Sequence, residues 1–393
     1  MKKIISVLFL IFSLIVTGCS GEGNISSDET QKAEGTFTFT FITVGKGDAF
    51  LMETPKGQHY LMDTGKAQDY QQIVKILRTK DVAKLDGIFL SHGHKDHAGC
   101  LKPLLEDMPV DKVYISKSDT VSYTEIKPRD FLPEFKDTQL VELIGGESFD
   151  LGGVQADVWI PPIVDYENEN NNSLILKITH GENSFLLMGD VEMEEEAVFM
   201  NSDFPLKSKV LKLGHHGETD ATSAEFLDRV NPEIAIIAGN AEENPDSENP
   251  FVASLLKNRN IDYYYSKGPS LDFISDGKEI SIKDVEEKEF KQEINIKFSS
   301  VQRKAQKVTI KNEGETSADL YGCTLISERG DEIYHFPKGT ILAPGEEISV
   351  VCKDSEEQGE LIWNEESVWR KRKDNALLYD KNMNLLDSDI SEK

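Results

Sequence analysis

The alternation of hydrophobic and polar positions predicts a domain of strands and helices over most of the chain. "TFTFTFITVG", which begins at Thr36, alternates with strict period two, as a half-buried strand does. "AQDYQQIVKILRTK" has instead the three- and four-residue spacing of an amphipathic helix. Further strands are predicted at "AFLMET", "HYLMDTG", "LDGIFLS", "KVYIS", "VQADVWI", "SLILKITH", "SFLLMGD", "KVLKLGHHG", "EIAIIAG" and "LDFISD", and helices at "EEEAVFM" and "SAEFLDRV". Two sheets covered by helices are the expected result.

The first residues have a different pattern. Two lysines precede the apolar run "IISVLFLIFSLIV", which is short for a membrane span and ends in "TGCS". We interpret residues 1–18 as a secretory signal. Val16 to Cys19 resembles the bacterial lipobox, which implies cleavage before Cys19 and a lipid on its sulfur; the alternative is an unlipidated signal with a chance cysteine. Residues 19–35 are small and polar, as in a flexible tether, so we expect the protein on the extracellular face of the bacterial membrane.

The last part of the chain predicts a separate all-β domain. Short alternating runs with turns at "NEGE", "ERGD" and "APGE" are typical of a β-sandwich over residues 293–390. "VTIKNEGETSADLYGCTLIS", "FPKGTILAPGEEISVV" and "NALLYDKNMNLLDS" resemble a lamin-tail domain, which is an immunoglobulin-like module. Residues 284–292 then form a charged linker to a first domain over residues 36–283. Cys323 and Cys352 lie in strand-like runs of the second domain, and their pairing in a disulfide is left open.

Composition limits the function classes. The 393 residues are enough for two or three domains, and 38% hydrophobic residues are enough for folded cores. The formal net charge of -27 excludes a nucleic-acid-binding surface over the whole chain, because phosphates would be repelled. A polyanionic partner must therefore meet a local basic segment or a metal ion.

The densest chemistry lies in "SHGHKDHAG", which holds three of the eight histidines. A solvated polar turn would rarely produce this spacing, so the motif favours a metal site. Other polar residues also follow predicted strands: an aspartate ends "YLMD", another ends "FLLMGD", and two histidines follow "KVLKLG". Each has a structural explanation alone, as a turn residue or a buried histidine. Together at one sheet edge they can hold two divalent cations, with Asp190 as the natural bridge.

These motifs carry a resemblance to a known family. "SHGHKDHAG", with "LMDTG" before it and "LLMGD" and "LGHHGE" after it, resembles the metallo-β-lactamase superfamily of metal-dependent hydrolases. "FITVGKGDAFLMETPKGQHYLMDTG", "NNNSLILKI" and "GHHGETDATS" are similar to the extracellular domain of ComEC-type competence proteins. The resemblance implies an αββα sandwich, followed here by the lamin-tail domain.

The resemblance also implies roles for individual residues. Two divalent ions, zinc or alternatively manganese, would be bound: the first by His92 and His94, and the second by Asp96 and His97. Asp190 would bridge both ions. His216 is favoured over His215 as the last ligand of the second ion, which leaves His215 to contact substrate or to orient a ligand. Asp96 would also orient the attacking water.

Two further positions would support the ligands. The resemblance implies that Asp63 holds a histidine in its ligating tautomer. Many family members carry another histidine where this chain has Asn171, Asn172 and Ser173. With Asn172 beside the site, the first ion would be bound weakly, completed by water, or be Mn²⁺ rather than Zn²⁺, because oxygen ligands are harder than imidazole.

The predicted chemistry is phosphodiester hydrolysis, and a nuclease acting on DNA is the leading hypothesis. The alternatives are hydrolysis of another ester, such as a phosphocholine ester on a cell-wall polymer, and a binding lipoprotein without catalysis. In the lamin-tail domain, a basic segment could contact nucleic acid by phosphate binding and stacking: Trp369, Arg370, Lys371, Arg372 and Lys373, with the Lys/Arg run over 303–311. The alternative is a solvated strand edge, in which case the domain would bind a cell-wall polymer or a protein.

Overall fold

The computed structural model describes residues 35–117, 124–247, 249–330, 332–370 and 373–391. Its α-helices are α1 (Tyr70–Thr79), α2 (Lys95–Ala98), α3 (Leu101–Asp107), α4 (Pro128–Phe131), α5 (Met193–Met200), α6 (Ala224–Val230) and α7 (Pro250–Lys257). Its strands in the first domain are β1 (Phe37–Phe41), β2 (Ala49–Glu53), β3 (His59–Thr64), β4 (Gly87–Phe89), β5 (Lys112–Ser116), β6 (Gln139–Leu143), β7 (Ser148–Asp150), β8 (Gln155–Trp159), β9 (Ile175–His180), β10 (Asn183–Leu187), β11 (Val210–Lys212), β12 (Ile234–Ile237), β13 (Asp262–Tyr265), β14 (Leu271–Ser275) and β15 (Ile280–Asp284).

Two sheets pack face to face in this domain. The first has the strand order β15-β14-β1-β2-β3-β4-β5-β6, and the second has the order β13-β12-β11-β10-β9-β8-β7. The strict alternation of β1 places Phe37, Phe39 and Phe41 on the face between the sheets, where all three are fully buried. Phe39 lies 5.1 Å from Phe185 of the second sheet, centroid to centroid. The predicted inward face of β1 is therefore confirmed.

Helices cover the outer face of each sheet. Helices α1 and α3 pack on the first sheet through residues such as Ile73 and Leu104. Helices α5, α6 and α7 pack on the second through Phe199, Phe226 and Leu256. The predicted αββα sandwich is confirmed.

The strands that the sequence pattern did not reveal lie at sheet edges. β6 and β7 end the two sheets on one side, and β13 and β15 end them on the other. Their residues are mostly half-buried or exposed. An edge strand is only partly covered, so its hydrophobic alternation is weak.

The second domain is all β, as predicted. Its strands are β16 (Ile296–Gln302), β17 (Lys307–Asn312), β18 (Ala318–Asp319), β19 (Thr324–Ser327), β20 (Glu332–His335), β21 (Ile341–Leu342), β22 (Glu347–Cys352), β23 (Leu361–Trp363), β24 (Ala376–Tyr379) and β25 (Leu385–Asp389). They form two four-stranded sheets, β16-β17-β22-β23 and β20-β19-β24-β25, and a two-stranded sheet, β18-β21. Cys323 and Cys352 are buried free thiols rather than a disulfide, and burial raises their pKa values to about 12 and about 11.

The two domains contact each other through helix α1. The ring of Tyr70 meets that of His335 edge to face, with 5.2 Å between centroids. Gln71 donates a hydrogen bond to the Thr324 hydroxyl, and Arg78 donates to the carbonyl oxygen of Lys381. Residues 285–295, which connect the domains, contain neither helix nor strand.

No helix in the described part of the chain has the length and apolar character needed to cross a membrane. The predicted signal, Cys19 and most of the tether lie outside the described residues.

Candidate metal centre

The predicted ligands and the aspartate predicted to support them come from the ends of four strands. β3 and β4 are parallel neighbours in the first sheet, and β10 and β11 are parallel neighbours in the second. Parallel strands end at the same sheet edge, so the segments that follow them meet there. Asp63 lies near the end of β3, the histidine motif follows β4, Asp190 follows β10, and His216 follows β11.

A compact cluster of four side chains results: Asp96, His97, Asp190 and His216. Each places one ligand atom within 4.8 Å of the others. Asp190 Oδ2 lies 2.9 Å from His97 Nε2 and 3.0 Å from His216 Nε2. Asp96 Oδ2 lies 3.3 Å from His216 Nε2. Asp96 is 18% exposed, whereas the other three side chains are almost fully buried, so the cluster opens to solvent beside Asp96.

The two imidazoles are held in a ligating form. His97 Nδ1 donates a hydrogen bond to Asp63 Oδ2 at 2.9 Å, and His216 Nδ1 donates to the carbonyl oxygen of Ala238 at 2.9 Å. Each Nε2 is therefore the ring nitrogen that faces the cluster and, once deprotonated, would present its lone pair to a bound ion. His216 Nε2 is buried and lacks a hydrogen-bond partner among the described residues. Two imidazole nitrogens and two carboxylates suit a divalent transition metal ion, so the residues present fit the metal that the sequence predicts.

The pKa values of the cluster indicate that its buried carboxylates are stabilised by positive charge. Burial opposes a charge on His97, yet the carboxylates of Asp190, Asp48 and Asp63 raise its pKa well above the usual value. Burial likewise opposes ionisation of Asp190, but His216, His97 and Lys212 hold its pKa well below the usual value. Buried carboxylates of this kind are stabilised by a bound cation.

The turn after β11 separates the two histidines that the sequence left undecided. His215 and His216 have φ values of 41° and 55°, which non-glycine residues rarely adopt. This turn directs His216 into the cluster. His215 instead lies outside it, with Nδ1 2.9 Å from Asp220 Oδ1.

His92 and His94 form a separate pair. His92 Nε2 lies 2.9 Å from His94 Nδ1, and His92 Nδ1 lies 3.0 Å from the Ser91 hydroxyl. Burial lowers the pKa of His92 well below its usual value. Among the described residues, the groups of three or more ligand atoms within 4.8 Å include neither histidine. His92 and His94 would therefore offer two imidazole ligands to the first predicted metal, and the rest of its ligands would have to come from elsewhere.

The supporting role predicted for Asn172 is wrong. Its Oδ1 accepts a hydrogen bond from the backbone of Asp165 at 2.8 Å, and its Nδ2 donates to the Asp165 carbonyl at 2.7 Å. Asn172 therefore holds its own loop. Ser173 supports the ligands instead, because its hydroxyl accepts from the backbone N–H of Asp190 at 3.1 Å and lies 3.4 Å from His92 Nδ1.

Two charged residues beneath the cluster escaped the sequence analysis. Lys212 is fully buried, and its Nζ lies 2.5 Å from Asp48 Oδ2, 2.7 Å from the Gly189 carbonyl and 3.5 Å from Asp190 Oδ1. Asp190 therefore directs Oδ2 to the cluster and Oδ1 to an ammonium. The sequence did contain a signal for this ion pair, namely a lysine inside the apolar run "VLKLG". A lysine in a buried strand needs a carboxylate partner.

The mouth of the centre is mainly acidic. Lys46 Nζ lies 3.4 Å from Asp96 Oδ2 and 3.5 Å from Glu218 Oε1. Glu169 Oε2 lies 3.6 Å from His94 Nε2, and Glu192 Oε1 lies 3.7 Å from His215 Nδ1. A substrate therefore passes more carboxylates than ammonium groups on its way to the cluster.

The predicted basic segment is not a stacking surface. Trp369 is only 2% exposed and packs in the core of the second domain, with its ring centroid 5.7 Å from that of Trp363. Its backbone N–H donates to Gln306 Oε1. Base stacking on Trp369 is thus excluded, and that prediction is wrong. Arg370 and Lys373 are exposed, whereas Lys371 and Arg372 lie outside the described residues.

Comparison with known families agrees with the site and the fold. Residues 42–241, about half of the chain, match the metallo-beta-lactamase superfamily. The chain belongs to the metallo-beta-lactamase superfamily. Residues 276–390 match the lamin tail domain. Both predicted resemblances are confirmed, and a superfamily of metal-dependent hydrolases implies that the centre binds divalent metal.

The curated relatives include a ComE operon protein and a competence protein. The chain is 29% identical over 200 residues to ComE operon protein 3 of Bacillus subtilis, which covers 48% of this chain and 24% of the relative. It is 28% identical over 227 residues to competence protein ComA of Neisseria gonorrhoeae. That match covers 57% of this chain and 30% of ComA. The chain thus spans less than a third of the length of these relatives. Among solved structures, the metallo-beta-lactamase fold protein YhfI from Bacillus subtilis aligns with a TM-score of 0.44 and 13% identity over 61% of this chain and 100% of that chain.

Proposed function

We propose that the protein is an extracellular, lipid-anchored phosphodiesterase that cleaves DNA, with zinc or manganese at the metal centre. The cluster of Asp96, His97, Asp190 and His216 carries this proposal, because it presents two nitrogen and two oxygen ligands at an opening to solvent. The Lys46 ammonium lies at that opening, where it can donate to a phosphoryl oxygen. Ligand geometry of this kind also argues against a merely binding lipoprotein.

The side chains divide the work of such a reaction. A bound divalent ion would supply Lewis-acid polarisation of the phosphoryl group and activation of water. Asp63 orients His97, and Lys212 fixes Asp190 from below. Asp96 is the most exposed of the four ligands and can orient the attacking water. His215, held by Asp220 at the mouth, is placed to contact the leaving part of the substrate.

Release of acid-soluble nucleotides from DNA tests this function. The purified protein would be treated with a chelator and then supplied with Zn²⁺ or Mn²⁺. We expect release only after metal is restored, and none from Asp190→Ala under the same conditions. No release by the wild-type protein with either metal would reject DNA as the substrate.

A second candidate substrate is favoured by the acidic mouth. Glu169, Glu192 and Glu218 would attract a phosphoester that carries a cationic alcohol, such as a phosphocholine ester on a cell-wall polymer. Turnover of p-nitrophenylphosphocholine can be compared with that of bis(p-nitrophenyl) phosphate. Preference for the phosphocholine ester would favour this second candidate over the nuclease.

The location is proposed from the lipobox at Cys19. We expect Cys19→Ser to move the protein from the membrane fraction to the soluble fraction without loss of hydrolase activity. Unchanged membrane association of the variant would mean that another segment anchors the chain.

A further inference from the structure

A groove lies between the hydrolase domain and the lamin-tail domain. Its walls are helices α3 and α4 with residues 124–127 on one side, and strands β20 and β23 on the other. Its volume is about 480 Å³, within the range of about 300–1,000 Å³ that protein ligand sites occupy. We call it the interdomain groove.

Contacts between the domains hold the walls of the interdomain groove in place. Ile333 of β20 packs against the core of the hydrolase domain. Lys102 Nζ of α3 lies 3.9 Å from Glu365 Oε1 of the lamin-tail domain. The backbone N–H of Ile126 donates to the carbonyl oxygen of Gly93 at 2.9 Å, so the groove wall adjoins the histidine motif. A molecule bound in the groove would therefore contact both domains beside the metal centre.

Strand β23 offers this groove the edge of a sheet. It ends the order β16-β17-β22-β23, and β22 is its sole strand partner among the described residues. Ile362 and Trp363 are successive residues of β23 and both line the groove. Because successive side chains point to opposite faces of a sheet, the groove runs along the edge of the strand. Ile362 is 59% exposed there. An edge of this kind can pair with an added strand.

The walls of the interdomain groove are mainly acidic. Five carboxylates line it against two ammonium groups, namely Glu106, Glu125, Asp130, Glu332 and Glu365 against Lys102 and Lys127. Burial lowers the pKa of His335 to about 4, so this residue adds no positive charge near neutral pH. Partial desolvation and the nearby carboxylates of Glu134 and Glu365 raise the pKa of Glu106. Such a groove complements a cationic ligand, and it repels both nucleic acid and a second copy of this chain, whose formal net charge is -27.

We propose that the interdomain groove binds an extended polypeptide segment of a partner protein in which lysine or arginine alternates with apolar residues. The segment pairs through its backbone with the outer edge of β23. Its apolar side chains contact Ile362, and its cationic side chains approach Glu106 and Glu365. A strand presents alternate residues to opposite sides, so one segment of period two can make both kinds of contact. The site does not depend on which substrate the metal centre cleaves.

Binding of a labelled peptide to the full chain, measured by fluorescence polarisation, tests this site. The probe is an acetylated peptide of alternating lysine and valine. We expect Ile362→Lys to weaken its binding by about tenfold, because the change replaces an apolar contact with a like charge. The matched control is Ile341→Lys, at an isoleucine of the same domain that is 60% exposed and does not line the groove. This control should bind the probe as the wild type does.

Two further probes separate strand pairing from simple charge attraction. One is the same peptide methylated at every backbone nitrogen, which cannot donate to β23, and the other is oligolysine of equal charge, which lacks the apolar positions. We expect each to bind at least about tenfold more weakly than the first probe. Equal binding of either probe, equal binding by the two lysine variants, or no binding of the first probe to the wild type would overturn the proposal. Dimerisation of the wild type in sedimentation, if abolished by Ile362→Lys, would also overturn it, because a second copy would then occupy the groove.

Discussion

The metal centre and the basic segment of the lamin-tail domain gave similar sequence signals but have different structures. Both were predicted from several functional residue types close together along the chain. In the metal centre, four residues that follow three different strands meet within 4.8 Å. In the basic segment, by contrast, neighbours in sequence separate: Trp369 lies in the core and Arg370 lies at the surface.

The difference shows which kind of sequence signal can be trusted for function. A metal centre requires ligands from separate elements, and a fold that brings parallel strand ends to one edge supplies them. Residues that are neighbours along an irregular segment need not form one site, because successive side chains usually point in different directions. An aromatic residue there is drawn into the nearest core by the free energy of burial. Four predictions test this contrast, from the largest expected effect to the smallest.

Removal of Asp190 should have the largest effect. Its Oδ2 contacts both imidazoles of the cluster, so Asp190→Ala removes the central ligand. Loss of a residue that merely supports a ligand costs 10- to 100-fold, and we expect loss of this ligand to lower turnover by more than about 100-fold. Metal analysis and kinetics of the same preparation measure it. Full metal occupancy together with full turnover would refute the assignment.

Removal of the ammonium beneath the cluster should destabilise the hydrolase domain. Lys212→Met leaves Asp48 buried without its 2.5 Å partner, and breaking a buried pair in this way costs about 3–5 kcal/mol. Urea unfolding measures the loss. The double variant Lys212→Met/Asp48→Asn should recover part of it, since no unpaired charge remains. A single variant as stable as the wild type would mean that this pair does not hold the centre in place.

Trp369→Ala should affect stability rather than binding. The side chain fills the core of the lamin-tail domain beside Trp363, and truncation of a buried aromatic residue costs about 3–5 kcal/mol. Arg370→Ala, the matched change at the exposed neighbour, should stay within about 0.5 kcal/mol. Thermal unfolding compares the two variants. Equal stability of both would mean that Trp369 is not a core residue.

The charges of the basic segment should have the smallest effect. If the lamin-tail domain holds DNA, changing Arg370, Lys371, Arg372 and Lys373 to Ala should reduce the slope of log affinity against log salt by about 0.9 for each lost phosphate contact. The same change should raise KM more than it lowers kcat, because these contacts position the substrate. Binding at several salt concentrations measures the slope. Identical slopes would assign these residues to a solvated edge and favour a cell-wall or protein partner for this domain.

Much of the fold followed from the sequence because its signal is local. The alternation of β1 and the helical spacing of α1 each show one buried face, and a sandwich with helices outside is the arrangement that buries them all. Edge strands such as β13 and β15 gave no clear pattern because only part of each is covered. Among the ligands, Asp96 and His97 were found because they share one short motif with His92 and His94.

By itself, the sequence determined the superfamily, the two domain types and the candidate metal ligands. The tertiary structure alone decided that His216 enters the cluster while His215 joins Glu192 and Asp220, because a left-handed turn separates adjacent side chains. It also decided that Lys212 lies beneath Asp190 and that Trp369 lies in a core. A residue's type and spacing limit what it can do, but its charge partners and burial depend on chain segments far away in sequence, which only folding brings into contact.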